Sequence, residues 1–325
     1  MSTKLTKIDI ANILISCAVK GGIFAGIKKP YKSFGISNGI SILYDRAAEY
    51  ENAIDNFFKI DKEIHRTYTL YSFEKAVSTL IKPYVFDGTS IDSAKVQSFF
   101  SELKAKSASN YKVFRPIFGI KIAKSKMPVS LGPYTIYDTK IHADQLKVDM
   151  TDLNHMLSNS PNIQYLICIN SITREPNKAI EIADIFFERF ESIMRFILGN
   201  RSKRFDVGII YVRGYTKKSA FVVSDEGDTS WHSGRDGIND PIPIDDTYFI
   251  ESEMGFDRIW KCLASNCNTE IEKRLLLAAE WIGQSFNENV PSSAFLKSAI
   301  ALEVLFTHSE KSLINTSILA QVLKM

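Results

Sequence analysis

Residues 269–308 constrain the fold more than any other stretch, because two apolar helical patterns meet across a stop only a few residues long. Thr269 and Glu272 have the spacing of a capping box, in which the threonine hydroxyl accepts the N–H three residues on and the glutamate reaches back. Leu275, Ala278 or Ala279, Ile282 and Phe286 then recur at helical steps. Asn287 to Pro291 ends that helix, since proline cannot continue it and restricts the residue before it. Ser292 is placed to cap a second helix whose apolar face carries Phe295, Ala299, Leu302 and Phe306. One charge, Glu303, interrupts the run from Ala299 to Phe306.

The chain before this hairpin reads as α+β. Residues 1–110 are mostly helical in pattern, with helices expected over Ile8–Val19, Ala47–Ile64, Phe73–Lys82 and Ile91–Lys104. Lys28–Gly39 reads as a basic, glycine-containing loop, and Pro83 and Gly88 read as breaks. From Tyr111 the pattern turns to strands, in 113–122, in Tyr134–Tyr137 and in the almost wholly apolar run Ile163–Ile172, which suits a central strand covered on both faces. Asp144–Leu157 fits a helix less clearly. Pro176–Leu198 is the clearest helix of this half, with proline in its first turn and Gly199-Asn200 at its end. Its stripe is Ile180, Ala183, Phe187, Phe190, Met194 and Ile197. Strands are expected at Val207–Val212 and Ser219–Val223, a loop over Asp225–Asp246 and a helix over Glu253–Ala264. A domain boundary falls near Ser265–Asn268, giving an N-terminal domain 1–265 and a helical segment 266–325.

The words LLLAAEWIGQSF (275–286) and FLKSAIALEVLFTHSEKSLI (295–314), with Ala301-Leu302-Glu303 inside the second, resemble the opening helices of the Apea-like HEPN family. Residues 169–200 resemble the strand and long helix that precede HEPN in such proteins. The resemblance implies an α+β domain followed by the first helices of an all-α bundle. It also implies a prokaryotic antiphage defence protein of the abortive-infection type. In active members a metal-independent endoribonuclease site, R-x4-6-H on a later helix, forms across a homodimer. The partners so implied are RNA, as tRNA or mRNA, a phage protein trigger and a second copy joined through the C-terminal helices. None of the five histidines has an arginine at the required upstream spacing. The catalytic segment is therefore expected beyond Met325, or the chain is an inactive relative; residues 1–325 are expected not to cleave RNA.

Glu303 has two readings. It points into the HEPN cleft and orients the Arg or His of the later helix, or it is a helix-margin glutamate paired with Lys297 or Arg274. Lys28, Lys29 and Lys32 around Tyr31, and Arg201, Lys203 and Arg204 after the long helix, are candidate RNA contacts; cations past a helix end also answer its exposed carbonyls. His308 suits a helix C-terminus better than catalysis. Asp225, Glu226, Asp228 and His232 lack calcium-loop spacing, and Cys262 and Cys267 lack a second ligand pair, so neither a metal nor another cofactor is expected. A net charge of +3 is too small to indicate nucleic-acid binding by itself. Four scattered cysteines fit reduced thiols, and Ile8–Val19 contains Asp9 and Asn12 and is too short to span a bilayer. A soluble cytoplasmic protein is expected.

Overall fold

The computed structural model describes residues 5–21, 30–35, 39–123, 125–146, 164–199, 207–209, 219–223, 229–233, 241–245, 255–265, 269–288 and 290–306, with the side chains of 219–223 and 229–233 excepted. It is a mixed helix-and-sheet structure. Contacts divide the chain into two compact units, residues 1–111 with 171–182, and residues 112–170 with 183–325. The expected partition at 265 follows the change of sequence pattern, whereas the contacts keep the C-terminal hairpin with the sheet of the second unit.

In the first unit, α1 (Lys7–Cys17) starts at a capping box made by Thr6 and Asp9. It runs into β1 (Ala18–Lys20), which pairs antiparallel with β3 (Ile40–Leu43); β3 also pairs with β2 (Pro30–Phe34). Residues 1–110 are mostly helical, as expected, but β2 falls within the loop expected over 28–39, of which 28–29 and 36–38 lie outside the described residues. The strands of this sheet are three to five residues long, too short for a period-two pattern to stand out.

The helix expected over 47–64 is two helices, α2 (Ala47–Lys59) and α3 (Lys62–Thr67). The break is Asp61, whose carboxylate accepts the N–H groups of Glu63 and Ile64 and so restarts the helix. Next, α4 (Leu70–Asp87) runs through Pro83, the expected break, to Gly88 in the left-handed region at φ 65°. Tyr84, Val85 and Phe86 pack on the core, and that burial outweighs the hydrogen bond the proline forgoes. Asp92 caps α5 (Ser93–Ala105). The core of this unit centres on Phe57, Phe58, Phe73, Phe99 and Phe100, with ring centroids 5.1–6.4 Å apart.

Arg174 locks α3 to α5 within this unit. Its guanidinium donates to Glu63, to Thr67 Oγ1 and to the carbonyls of Lys104 and Lys106, at 2.7–3.1 Å. Glu175 accepts the N–H of Thr69 at the start of α4.

The sheet of the second unit has the order β6 (Val129–Leu131), β7 (Tyr134–Asp138), β8 (Tyr165–Thr173), β4 (Ser109–Phe118), β9 (Gly208–Ile209). The apolar run expected to be a central strand is β8, third of the five. After Gly119, β5 (Ile120–Lys121) pairs in parallel with β12 (Ile242–Pro243). Strands β10 (Ser219–Val223) and β11 (Thr229–Ser233) form a hairpin, so the loop expected over 225–246 contains two strands. Of the helix expected over 144–157, α6 (Ala143–Leu146) is described and the rest lies outside the described residues. His142 is a core residue of the turn before α6. Its Nδ1 accepts the Asp138 N–H at 2.9 Å, which leaves the ring proton on Nε2, facing the carbonyl of Lys126.

The long helix α7 has the expected ends, Pro176–Leu198. Its buried side is Ala183, Phe187, Phe190, Met194 and Ile197, as the spacing predicts, while Ile180 is exposed. Tyr134 of β7 donates to the carbonyl of Phe186, and its ring meets Phe190 and Trp260. Trp260 belongs to α8 (Phe256–Ser265).

Candidate functional site

The C-terminal hairpin is α9 (Glu270–Phe286) and α10 (Pro291–Phe306). The capping box is as the sequence predicts: Thr269 Oγ1 accepts the Glu272 N–H at 3.1 Å and Glu272 accepts the Thr269 N–H at 2.9 Å. Helix α10 begins at Pro291, one residue before the expected Ser292 cap, with proline in the first turn, where its missing N–H is harmless.

The buried side of α9 is the predicted one only in part. Ala278 and Ala279 are buried as expected and Ile282 is half-buried, but Leu275 and Phe286 are exposed, and Leu276 and Gly283 are buried in their place. Gly283 sets this rotation. A Cβ there would lie 1.8 Å from the backbone oxygen of Ser192, so α9 rests backbone to backbone on α7. One turn before Gly283, Glu280 meets Arg189 of α7, with Nε 2.6 Å from the carboxylate oxygen. The N–H is not aimed at that oxygen, so the contact is an ion pair by proximity rather than a directed hydrogen bond. Only 12% of the Glu280 side chain is exposed, and burial pushes its carboxyl above the usual range despite the opposing charge of Arg189. Arg189, Glu280, Lys273, Leu276 and Cys262 line a small cavity of about 280 Å³. The most desolvated carboxylate of the hairpin is therefore Glu280, which sequence reading passed over for Glu303. The signal was available: Glu280 lies between Ala279 and Gly283, on the side where small residues let helices approach.

Helix α10 turns its large apolar groups outward. Phe295 is 65% exposed, Leu302 55% and Phe306 76%, while Ala301 is buried. Ile271, Leu275 and Val290 add further exposed apolar surface to the hairpin. Glu303 is half-buried beside Leu302 and Val304. Lys297 meets Glu288, and Arg274 lies 3.5 Å from Glu270.

Of the candidate RNA contacts, Lys32 is described, and its Nζ lies 2.7 Å from Glu74 and 3.4 Å from Glu51. Lys28, Lys29, Arg201, Lys203, Arg204 and His308 lie outside the described residues, as do Asp225, Glu226, Asp228 and Cys267. Among the described residues no group of three or more His, Cys, Asp or Glu is placed to hold a metal ion, and no helix is long and apolar enough to cross a membrane. Cys17 and Cys168 are buried free thiols; burial pushes both upward, Cys168 to about 11. No protein-family model, curated protein sequence or solved structure matches this chain.

Proposed function

We propose that this chain is an antiphage defence protein of the Apea-like HEPN type, whose α9–α10 hairpin is the front half of a helical bundle that pairs with a second copy. The observation supporting this reading is the outward apolar face of α10, Phe295, Leu302 and Phe306, on a hairpin whose other side is seated on α7. A large exposed apolar face marks an association surface. For a chain of this type that carries the R-x4-6-H segment, the function is metal-independent endoribonuclease action on tRNA or mRNA. The ribose 2′-OH attacks the adjacent phosphate, with histidine as acid–base and arginine stabilising the developing charge. Residues 1–265 act as the sensor or regulatory part that answers a phage protein, and Glu303 orients the reactive pair. RNA contact by Lys32 requires it to leave Glu74 and Glu51, so it ranks below the other basic candidates.

Residues 1–325 contain no R-x4-6-H and on this reading do not cleave RNA. The test incubates a mixed RNA pool, with a chelator present, with residues 1–325 and with a chain continued through a segment carrying that motif. Intact RNA with the first and cleaved RNA bearing 2′,3′-cyclic phosphate ends with the second supports the nuclease. An extended dimer that leaves the pool intact refutes it. That outcome favours a second reading, a non-catalytic sensor or interaction module pairing through the same hairpin, supported by the same exposed face.

A further inference from the structure

Helix α4 carries Tyr71, Lys75, Ser78 and Lys82 at steps of four, three and four, so all four share one side of the helix. Facing them across a groove are Phe34 at the end of β2 and Ile40 at the start of β3, with Gly35 and Gly39 beside them. The groove has a volume of about 530 Å³, within the range that small ligands occupy. Among the described residues its wall contains two lysines and no carboxylate. Neither Lys75 nor Lys82 has an ion-pair partner among the described residues. Glu74, next to Lys75 in sequence, is buried and held by Lys32 at 2.7 Å, so it neutralises neither of them.

A third ammonium stands nearby. Lys82 Nζ lies 5.6 Å from the centroid of the Phe86 ring, and Lys20 Nζ lies 4.7 Å from the same centroid. Gathered cations with no acid among them create a positive potential that a bound anion relieves. The hydroxyls of Ser78 and Thr79 both donate to the carbonyl of Lys75, at 2.7 and 3.2 Å. They therefore offer lone pairs to a ligand, and the lysines supply the anion donors. Lys75 and Lys82 sit about 10 Å apart along the helix axis, a spacing their flexible chains close onto two linked phosphates more readily than onto one. At the rim the ring of Tyr71 is 69% exposed, a free face for stacking.

We propose that this groove between α4 and the facing ends of β2 and β3 binds a small phosphate-bearing molecule with an aromatic ring, of the nucleoside diphosphate class. The lysines hold the phosphates, Tyr71 stacks on the ring, and the Ser78 and Thr79 oxygens accept from the ligand's own donors. The proposal is independent of the reading of the α9–α10 hairpin.

The test is calorimetric titration of the full chain with ADP, inorganic pyrophosphate and adenosine. ADP and pyrophosphate bind, adenosine does not at the same concentrations, and added salt weakens both binders. The double variant Lys75→Gln/Lys82→Gln weakens both by about tenfold or more, since two charge-assisted contacts are lost. Tyr71→Ala weakens ADP and leaves pyrophosphate unchanged. Failure of pyrophosphate to bind, adenosine binding as tightly as ADP, or unchanged affinity in a double variant with the parent's circular dichroism overturns the site. Unchanged ADP affinity in Tyr71→Ala overturns the stacking assignment.

Discussion

Substituting Gly283 by alanine separates two physical effects of opposite sign. Helix propensity alone favours alanine in a helix interior by about 1 kcal/mol. The structure opposes it, because the new Cβ would fall 1.8 Å from the Ser192 oxygen and 2.6 Å from its carbonyl carbon, both rigid backbone atoms of α7. Restoring ordinary contact moves α9 outward by roughly 1.5 Å, which opens the packing of Leu276 and Ala279 and lengthens the approach of Arg189 to Glu280. Overpacking of this kind costs about 3 kcal/mol at the upper end of its usual range, leaving a net loss of about 2 kcal/mol after the propensity gain. For a 325-residue chain, with an unfolding entropy of about 2.1 cal/mol/K per residue, that lowers Tm by roughly 3 °C. Urea and thermal unfolding, followed by circular dichroism and tryptophan fluorescence, measure it. A Gly283→Ala protein as stable as the parent, or more stable, refutes the backbone-to-backbone seat of α9 on α7.

Asp61 caps α3 and sits 2.7 Å from Lys104 and 3.5 Å from Lys7. Asp61→Ala is expected to cost about 1–2 kcal/mol in urea melts. Burial raises the Asp61 carboxyl, but the Lys104 contact, the Ile64 N–H and the lysine charges prevail and hold it below its ordinary 3.8. The unfolded chain thus takes up the proton first on acidification. The stabilisation is full above the ordinary value and is lost as pH falls through the lower folded value; a stability difference between parent and Asp61→Ala that does not shrink over that interval would contradict this. Arg174→Ala removes four hydrogen bonds joining α3 and α5 and is expected to cost about 2–4 kcal/mol, with Arg174→Lys recovering only part; a loss under about 0.5 kcal/mol would show the lock to be idle.

Long elements with a strong pattern were legible in the sequence: α7 to its terminal residues, β8 as a central strand, and the capped hairpin. What escaped was decided by contacts distant in sequence. Pro83 reads as a stop, but the burial of the residues after it keeps α4 going to Asp87 and places Phe86 one turn beyond Lys82. The sheet of β1, β2 and β3 is built from strands too short to carry periodicity. In α9 the bulky residues suggested one face, and Gly283 selected one that keeps only part of it, because backbone approach to Ser192 outweighs the burial of Leu275 and Phe286. Glu303 drew attention as a charge within an apolar run, whereas the deeper carboxylate is Glu280, paired to a residue about ninety positions earlier.

On the proposed reading, the outer face of α10 is a pairing surface. Sedimentation equilibrium of residues 1–325 beside Leu302→Lys/Phe306→Lys tests it directly, since both side chains already face solvent and lysine there leaves the fold undisturbed. A self-associating parent and a monomeric variant with the same melting temperature are the predicted outcome. A parent that stays monomeric at high micromolar concentration, or a variant that associates as strongly as the parent, would contradict it.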